Sequence, residues 1–141
     1  MLNLDFLCMK TAQEMMACQG TSGDKENVAT AGLGVLLENG PYGFMLFLES
    51  HSKTGIAGRY KEQLLALCRE ELVASYLAGG VPTSGNFQAV TKWLRGLAED
   101  LDRYLFTKRL WQQTLTYARY HAKALGEGGG AGQSGVQGEG A

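Results

Sequence analysis

The sequence predicts an all-α fold: a compact bundle of about five to six helices, with no sheet. Three observations predict it. Apolar residues recur at three- and four-residue spacing along most of the chain to Leu125. No run alternates apolar and polar residues as a half-buried strand would. The breaks between the periodic runs are short and rich in Gly, Ser, Asn and Pro, which suits helices packed as close neighbours.

Leu4, Leu7, Cys8, Thr11, Met15 and Cys18 lie on one helical face, so residues 3–18 read as a first helix with Met9, Met15 and Met16 as core filler. A loop follows at Gln19–Asp24, and Asp24 or Asn27 is placed to cap a second helix over 26–38. Leu33–Ser50 then holds two apolar runs around Glu38-Asn39-Gly40-Pro41-Tyr42-Gly43. Asn39-Gly40 stops a helix in the left-handed conformation that Gly tolerates. Pro41 has a pre-set φ and no N–H, which suits the first turn of a third helix ending near His51. These two short helices should be buried on nearly all sides and meet at a sharp corner.

Tyr60, Leu64, Leu67, Cys68, Leu72 and Leu77 form the stripe of one amphipathic helix from Arg59 to Leu77, closed by Gly79-Gly80-Val81-Pro82. Ser84 or Asn86 caps the next helix, with the stripe Phe87, Val90, Trp93, Leu94 and Leu97. A break near Gly96 or at Glu99-Asp100 precedes a long final helix marked by Leu101, Leu105, Trp111, Leu115, Ala118, Ala122 and Leu125. The domain is expected to occupy residues 1–125. From 126 to 141 the composition collapses to Gly, Ala, Gln, Ser, Glu and one Val, a tail expected to be disordered.

At 141 residues and 45% hydrophobic content the chain suits a single domain with a real core. Its formal charge of −1 excludes a polycation, so any nucleic-acid contact must come from a local patch. Cys8, Cys18 and Cys68 form no C-x-x-C and are expected to be buried thiols in a reducing cytoplasm. Neither half of the apolar centre approaches the roughly 20 residues needed to span a bilayer, so no membrane association is expected.

No catalytic frame stands out. His51 sits at a helix end, where its partial charge suits the dipole. His121 sits on the polar side of the last helix beside Tyr120 and Lys123, where it either touches a phosphate or faces solvent. Glu70-Glu71 point in different directions on a helix, and Glu99, Asp100 and Asp102 suit a helix N-terminus better than a metal. Gly32-x-Gly34 lacks both a preceding strand and the G-K-[ST] of a phosphate loop. Neither a cofactor nor a metal site is expected.

The final helix carries the candidate chemistry. Between Arg103 and Leu125 every charged residue is basic: Arg103, Lys108, Arg109, Arg119 and Lys123. Lys108 to Gln112 and Arg119 to Lys123 are i, i+4 pairs on one polar face, with Tyr120 adding a flat side chain. Such a stripe suits a phosphate backbone and is indifferent to base identity. Lys92 and Arg95 extend the patch if their helix lies alongside. The bland reading of the same stripe is a solvated helix face.

The order of these pieces resembles the small α-helical subunit of the type III-B CRISPR effector, the Cmr complex. The resemblance rests on the corner, Leu36-Leu37-Glu38-Asn39-Gly40 followed by Phe44–His51, on the Tyr60–Leu77 helix after it, and on the closing helix, where Tyr104 and Thr107 precede Ala118-x-Tyr120 and Lys123. It covers most of residues 3–125. The chain departs from that family in having Val28-Ala29-Thr30-Ala31-Gly32 where lysines lead into the second helix, and in a weaker aromatic-basic close. The resemblance implies a cytoplasmic, non-catalytic RNA-binding scaffold subunit. Its implied partners are the backbone and other subunits of the effector, further copies of itself, and guide and target RNA. Lys108, Arg109, Arg119 and Lys123 are the expected phosphate contacts, with Lys92 and Arg95 after them. The small subunit of the type III-A complex is the nearest alternative, and a helical protein–protein adaptor without nucleic-acid contact is the alternative of another class.

Overall fold

The computed structural model describes residues 3–51 and 55–133, the stretch 127–133 by its backbone alone. Six helices follow in order: α1 (Leu4–Met16), α2 (Ser22–Ser50), α3 (Ile56–Arg69), α4 (Glu71–Leu77), α5 (Phe87–Leu97) and α6 (Leu101–Gln133). The described residues contain no strand, and the fold is a compact all-α one. The backbone of α6 runs on through 126–133, into the segment expected to be a disordered tail. The same expectation for 134–141 falls outside the described residues.

The expected corner lies within α2. Gly40 breaks the helical path with φ 78° and ψ −177°. The positive φ is the anticipated one, but the ψ is extended rather than left-handed helical, a combination that essentially only glycine adopts. Asn39 is not in the left-handed region; Ala78 is the one described non-glycine residue with positive φ. The two arms, 22–39 and 41–50, fold back on each other. A Cβ placed on Gly32 would fall 2.9 Å from Phe44 Cε1 and 3.6 Å from Phe47 Cε2. In a straight helix those positions would be about 18 Å apart along the axis, at 1.5 Å per residue. The missing side chain of Gly32 is the space that the Phe44 ring occupies.

Tyr104 of α6 closes the corner. Its hydroxyl oxygen accepts the Tyr42 N–H at 3.0 Å. That N–H belongs to the first turn of the second arm and has no carbonyl within its own arm to bond. The first arm of α2 runs antiparallel to α6, with Ser22 beside Gly126 at one end and Tyr42 beside Tyr104 at the other. On the opposite flank α1 is antiparallel to α6 as well. The Tyr117 hydroxyl donates to Asp5, and the Cys8 thiol points to the Leu110 carbonyl at 3.7 Å. Trp111, fully buried, sits at the centre with its ring 5.8 Å from Phe44 and 6.5 Å from Trp93.

The C-terminus of α1 has no basic residue of its own, so cations from other helices cap it. The buried Lys25 donates to the Met16 carbonyl at 2.9 Å. Arg59 donates from Nε and Nη2 to the Glu14 carbonyl at 3.0 and 2.8 Å. Arg59→Met should lower stability by about 1 kcal/mol, because the fork is part-exposed and water replaces some of what is lost. Arg59→Lys, which keeps the charge without the fork, should recover less than half of it. Urea-unfolding midpoints of the three proteins check this.

Several local expectations differ from the structure for identifiable reasons. The second helix starts at Ser22 with Thr21 as its cap, accepting the Asp24 N–H at 3.0 Å, so neither Asp24 nor Asn27 caps it. The expected Arg59–Leu77 helix is two helices, broken at Glu70, whose ψ of 138° is extended. Contacts distant in sequence flank the break: Glu70 meets Lys10 at 3.5 Å, and Arg69 donates to the Pro82 carbonyl at 2.6 Å. The change of direction leaves Leu72 exposed while Val73 and Leu77 are buried. Leu101, Leu105, Leu125, Phe87 and Met9 are also exposed rather than core. Of the alternatives for α5 and α6, Asn86 is the cap that accepts Ala89 N–H, and Asp100 accepts Arg103 N–H.

Cys8, Cys18 and Cys68 are free thiols; Cys8 and Cys68 are buried and Cys18 is half-buried. Burial pushes the Cys68 thiol from 9.0 up to about 12. The unfolded chain therefore ionises Cys68 at a lower pH than the fold does. The corresponding stability is fully present below about pH 9 and is lost as pH rises toward 12. The unfolding midpoint should fall on going from pH 8 to pH 11, and with a shallower slope in Cys68→Ala.

Candidate nucleic-acid interface

Buried residues fix the orientation of α6. Thr107, Leu110, Trp111, Thr114, Leu115, Ala118 and Ala122 face the core. At about 100° per residue, Lys108, Gln112, Arg119 and Lys123 fall within about 60° of one another on the flank beside α2. Lys108, Gln112 and Arg119 are half-buried and Lys123 is exposed. The expected stripe is thus a single strip along the helix. Arg109 lies further round and is exposed. It lines a shallow depression of about 200 Å³ with Leu105, Lys108 and Gln112, and also the rim of a groove on the α1 side with Asp5 and Phe106.

Lys92 and Arg95 come together on α5. With Thr91 and Tyr42 they line a second depression of about 200 Å³. Tyr42 stands at the start of the second arm of α2, and the hydrogen bond from its N–H to Tyr104 ties this depression to α6 one turn before Lys108. Its exposed ring is an aromatic surface between basic groups, which suits base stacking. Sequence reasoning missed Tyr42. The one signal for it is its place directly after Pro41, in the first turn of a new helix, where a side chain is held but not enclosed.

His121 is not part of this strip. It lies roughly 140–160° around the helix from Lys108, Arg119 and Lys123 and is half-buried. Tyr120 is exposed next to Arg119, whose guanidinium carbon is 5.7 Å from the ring centre. Arg119 Nε is buried without a hydrogen-bond partner. His51 behaves as a helix-end residue, its Nδ1 2.9 Å from the Phe47 carbonyl and 3.0 Å from the Ser50 hydroxyl.

The basic residues divide sharply by partner. Lys10, Arg59, Lys61 and Arg103 pair with Glu70, Glu14, Glu49 and Asp100. Lys25 and Arg69 are spent on backbone carbonyls. Lys53 lies outside the described residues. Lys92, Arg95, Lys108, Arg109, Arg119 and Lys123 make neither a hydrogen bond nor an ion pair with the described residues. Every described cation outside the expected set is therefore engaged with a carboxylate or carbonyl of the protein, and none inside it is, although the Arg119 guanidinium also rests on the Tyr120 ring.

Among the described residues no group of three or more His, Cys, Asp or Glu side chains is placed to hold a metal ion. No helix among them is long and apolar enough to cross a membrane. No family model matches the chain, and neither the curated proteins nor the solved structures contain a match to it.

Proposed function

We propose that this protein is a non-catalytic, RNA-binding scaffold subunit that acts within an RNA-guided complex, of the kind represented by the Cmr small subunit. One observation carries the RNA contact: the unpaired state of Lys92, Arg95, Lys108, Arg109, Arg119 and Lys123, against the pairing of the other described cations. Cations left without an internal anion or carbonyl, on an elongated strip beside an exposed tyrosine, suit a strand of phosphates and flat bases. They position a strand without reading it, so sequence specificity would come from guide pairing supplied elsewhere in the complex. The assignment to a type III-B effector rests on the resemblance in the corner and the closing helix, with type III-A as its nearest alternative. The protein would work in the cytoplasm, beside the backbone subunits and further copies of itself.

A second reading, a helical adaptor without RNA contact, is favoured by one specific feature. Phe6 and Met9 of α1 and Leu72 and Tyr76 of α4 are exposed, and Leu72 shares a groove with Leu7 of α1. Purification of the native complex, with mass spectrometry of its proteins and sequencing of its RNA, separates the two. RNA-guided effector subunits and small guide RNAs are expected. A complex containing neither overturns the proposal in favour of the adaptor.

A further inference from the structure

An open cavity of about 470 Å³ lies between the turn after α4, α5 and the start of α6. Its volume falls in the range of small-ligand sites, about 300–1,000 Å³. The half-buried Trp93 and the buried Leu97 line it, and the Trp93 ring is 6.5 Å from that of the buried Trp111. Gly80 also lines it with φ 78°, and a Cβ there would stand 3.9 Å from Trp93 Cδ1. A side chain at Gly80 would thus both strain the turn and cover the indole. Lys92 and Arg103 stand on the rim with Asp100, and Arg103 Nη1 is 3.3 Å from Asp100 Oδ2. That pair is neutral, so Lys92 leaves one unbalanced positive charge.

A flat apolar wall, one net positive charge and a carboxylate acceptor together describe a nucleotide unit. We infer that this cavity receives one unstacked nucleotide of an RNA strand, its base against Trp93 and its phosphate on Lys92. Asp100, whose Oδ1 accepts the Arg103 N–H and whose Oδ2 faces Arg103 Nη1, keeps a spare lone pair on each oxygen for amino or imino hydrogens on the base edge. A single positive charge matches the single negative charge of a phosphodiester, which favours a nucleotide within a chain over a doubly charged free monophosphate. Lys92 also borders the depression containing Tyr42 and Arg95, so a strand on the basic surface reaches the cavity without a gap. The inference rests on the RNA-binding reading and adds to it a discrete base site.

The test is a fluorescence and anisotropy titration of the full chain at low salt. Its probes are a labelled single-stranded hexanucleotide RNA, the same backbone with every position abasic, and the free 5′-monophosphates. RNA should quench tryptophan emission through Trp93, while the buried Trp111 keeps emitting. Trp93→Phe should abolish the quench yet bind within about threefold, because the aromatic wall remains. Trp93→Ala should weaken binding by about fivefold or more, as loss of one base stack does. The abasic RNA should bind the wild type more weakly than the intact RNA and should bind wild type and Trp93→Ala alike. Free monophosphates should bind more weakly than the hexanucleotide. RNA that binds without quenching, and equally well to Trp93→Ala, overturns the base site while leaving the basic surface standing. Quenching by monophosphates with no binding of the hexanucleotide overturns the strand reading while leaving a nucleotide pocket.

Discussion

Reversing charge at Lys108, Arg119 and Lys123 together should cost at least about tenfold in single-stranded RNA affinity at low salt, a figure discounted for the solvent screening of part-exposed cations. The salt dependence should change with it. Each phosphate neutralised on a single strand contributes about 0.7 to the slope of log affinity against log salt, so removing three contacts should flatten that slope by roughly 2. These residues occupy one strip of α6 and none of them has an ion pair to lose; Arg119 does give up its contact with the Tyr120 ring, so far-UV circular dichroism and a thermal melt of the variant accompany the titration. Neutralising the same residues to Gln should give an intermediate loss. Lys10→Glu alters net charge by as much as one of the reversals but lies at the α1–α4 contact, where Lys10 already faces Glu70; its RNA affinity should stay within about twofold of the wild type. The assembled complex provides the stricter measurement, since stacked copies multiply weak contacts. Target capture that is unchanged by the triple reversal at both low and physiological salt would remove these residues from the interface.

The sequence revealed different parts of this molecule to different depths, and the reason is the range over which each feature is determined. The corner was legible because Asn39-Gly40-Pro41 is local chemistry: a residue type that tolerates positive φ followed by one that cannot continue a helix ladder. The break at Glu70 was not, because no Gly or Pro marks it and the groups around it, Lys10 and Pro82, are distant in sequence. Leu101 and Leu105 were misplaced for a third reason. Both are apolar at helical spacing, yet they fall on the Lys108 side of α6 rather than the Trp111 side. Counting apolar residues at i, i+4 finds a stripe without asking whether it is the one that Trp111, Leu115 and Ala118 define. For the interface, the absence of acids between Arg103 and Leu125 could be read directly. That Lys108, Arg109, Arg119 and Lys123 are without an ion pair while Arg59 and Lys61 are not could not be read, because those pairs join α3 to α1 and α2.

Gly40→Val should be the most destabilising single substitution at the surface of the corner, by about 3 kcal/mol or more, at or above the top of the range for one strained backbone residue. Two effects act together. At φ 78° and ψ −177° a β-branched residue is confined to a region that essentially only glycine populates. A Cβ there would already be 3.5 Å from the Tyr104 hydroxyl, so the added γ-methyl groups have to displace the side chain that holds the Tyr42 N–H. Relief of either strain opens the angle between the two arms and withdraws Phe44 from Gly32 and Trp111. For a domain of this size the loss corresponds to a fall in Tm of roughly 10 °C. Gly34→Ala is the matched control. That position lies in the middle of the first arm, a Cβ there meets nothing within 4 Å, and φ is unexceptional, so the substitution should instead stabilise by about 0.5–1 kcal/mol through helix propensity. Thermal melts of the two variants should move in opposite directions. The corner also connects stability to the interface, because Tyr42 borders Lys92 and Arg95 from the arm that Gly40 orients. Gly40→Ala, strained but lacking the γ-methyls, should remain folded at 20 °C and bind RNA more weakly than its residual stability alone would suggest, with the deficit removed when Tyr42→Ala is already present. Equal RNA affinity for Gly40→Ala and wild type at that temperature would show that the corner sets the fold and leaves the Tyr42 surface unaffected.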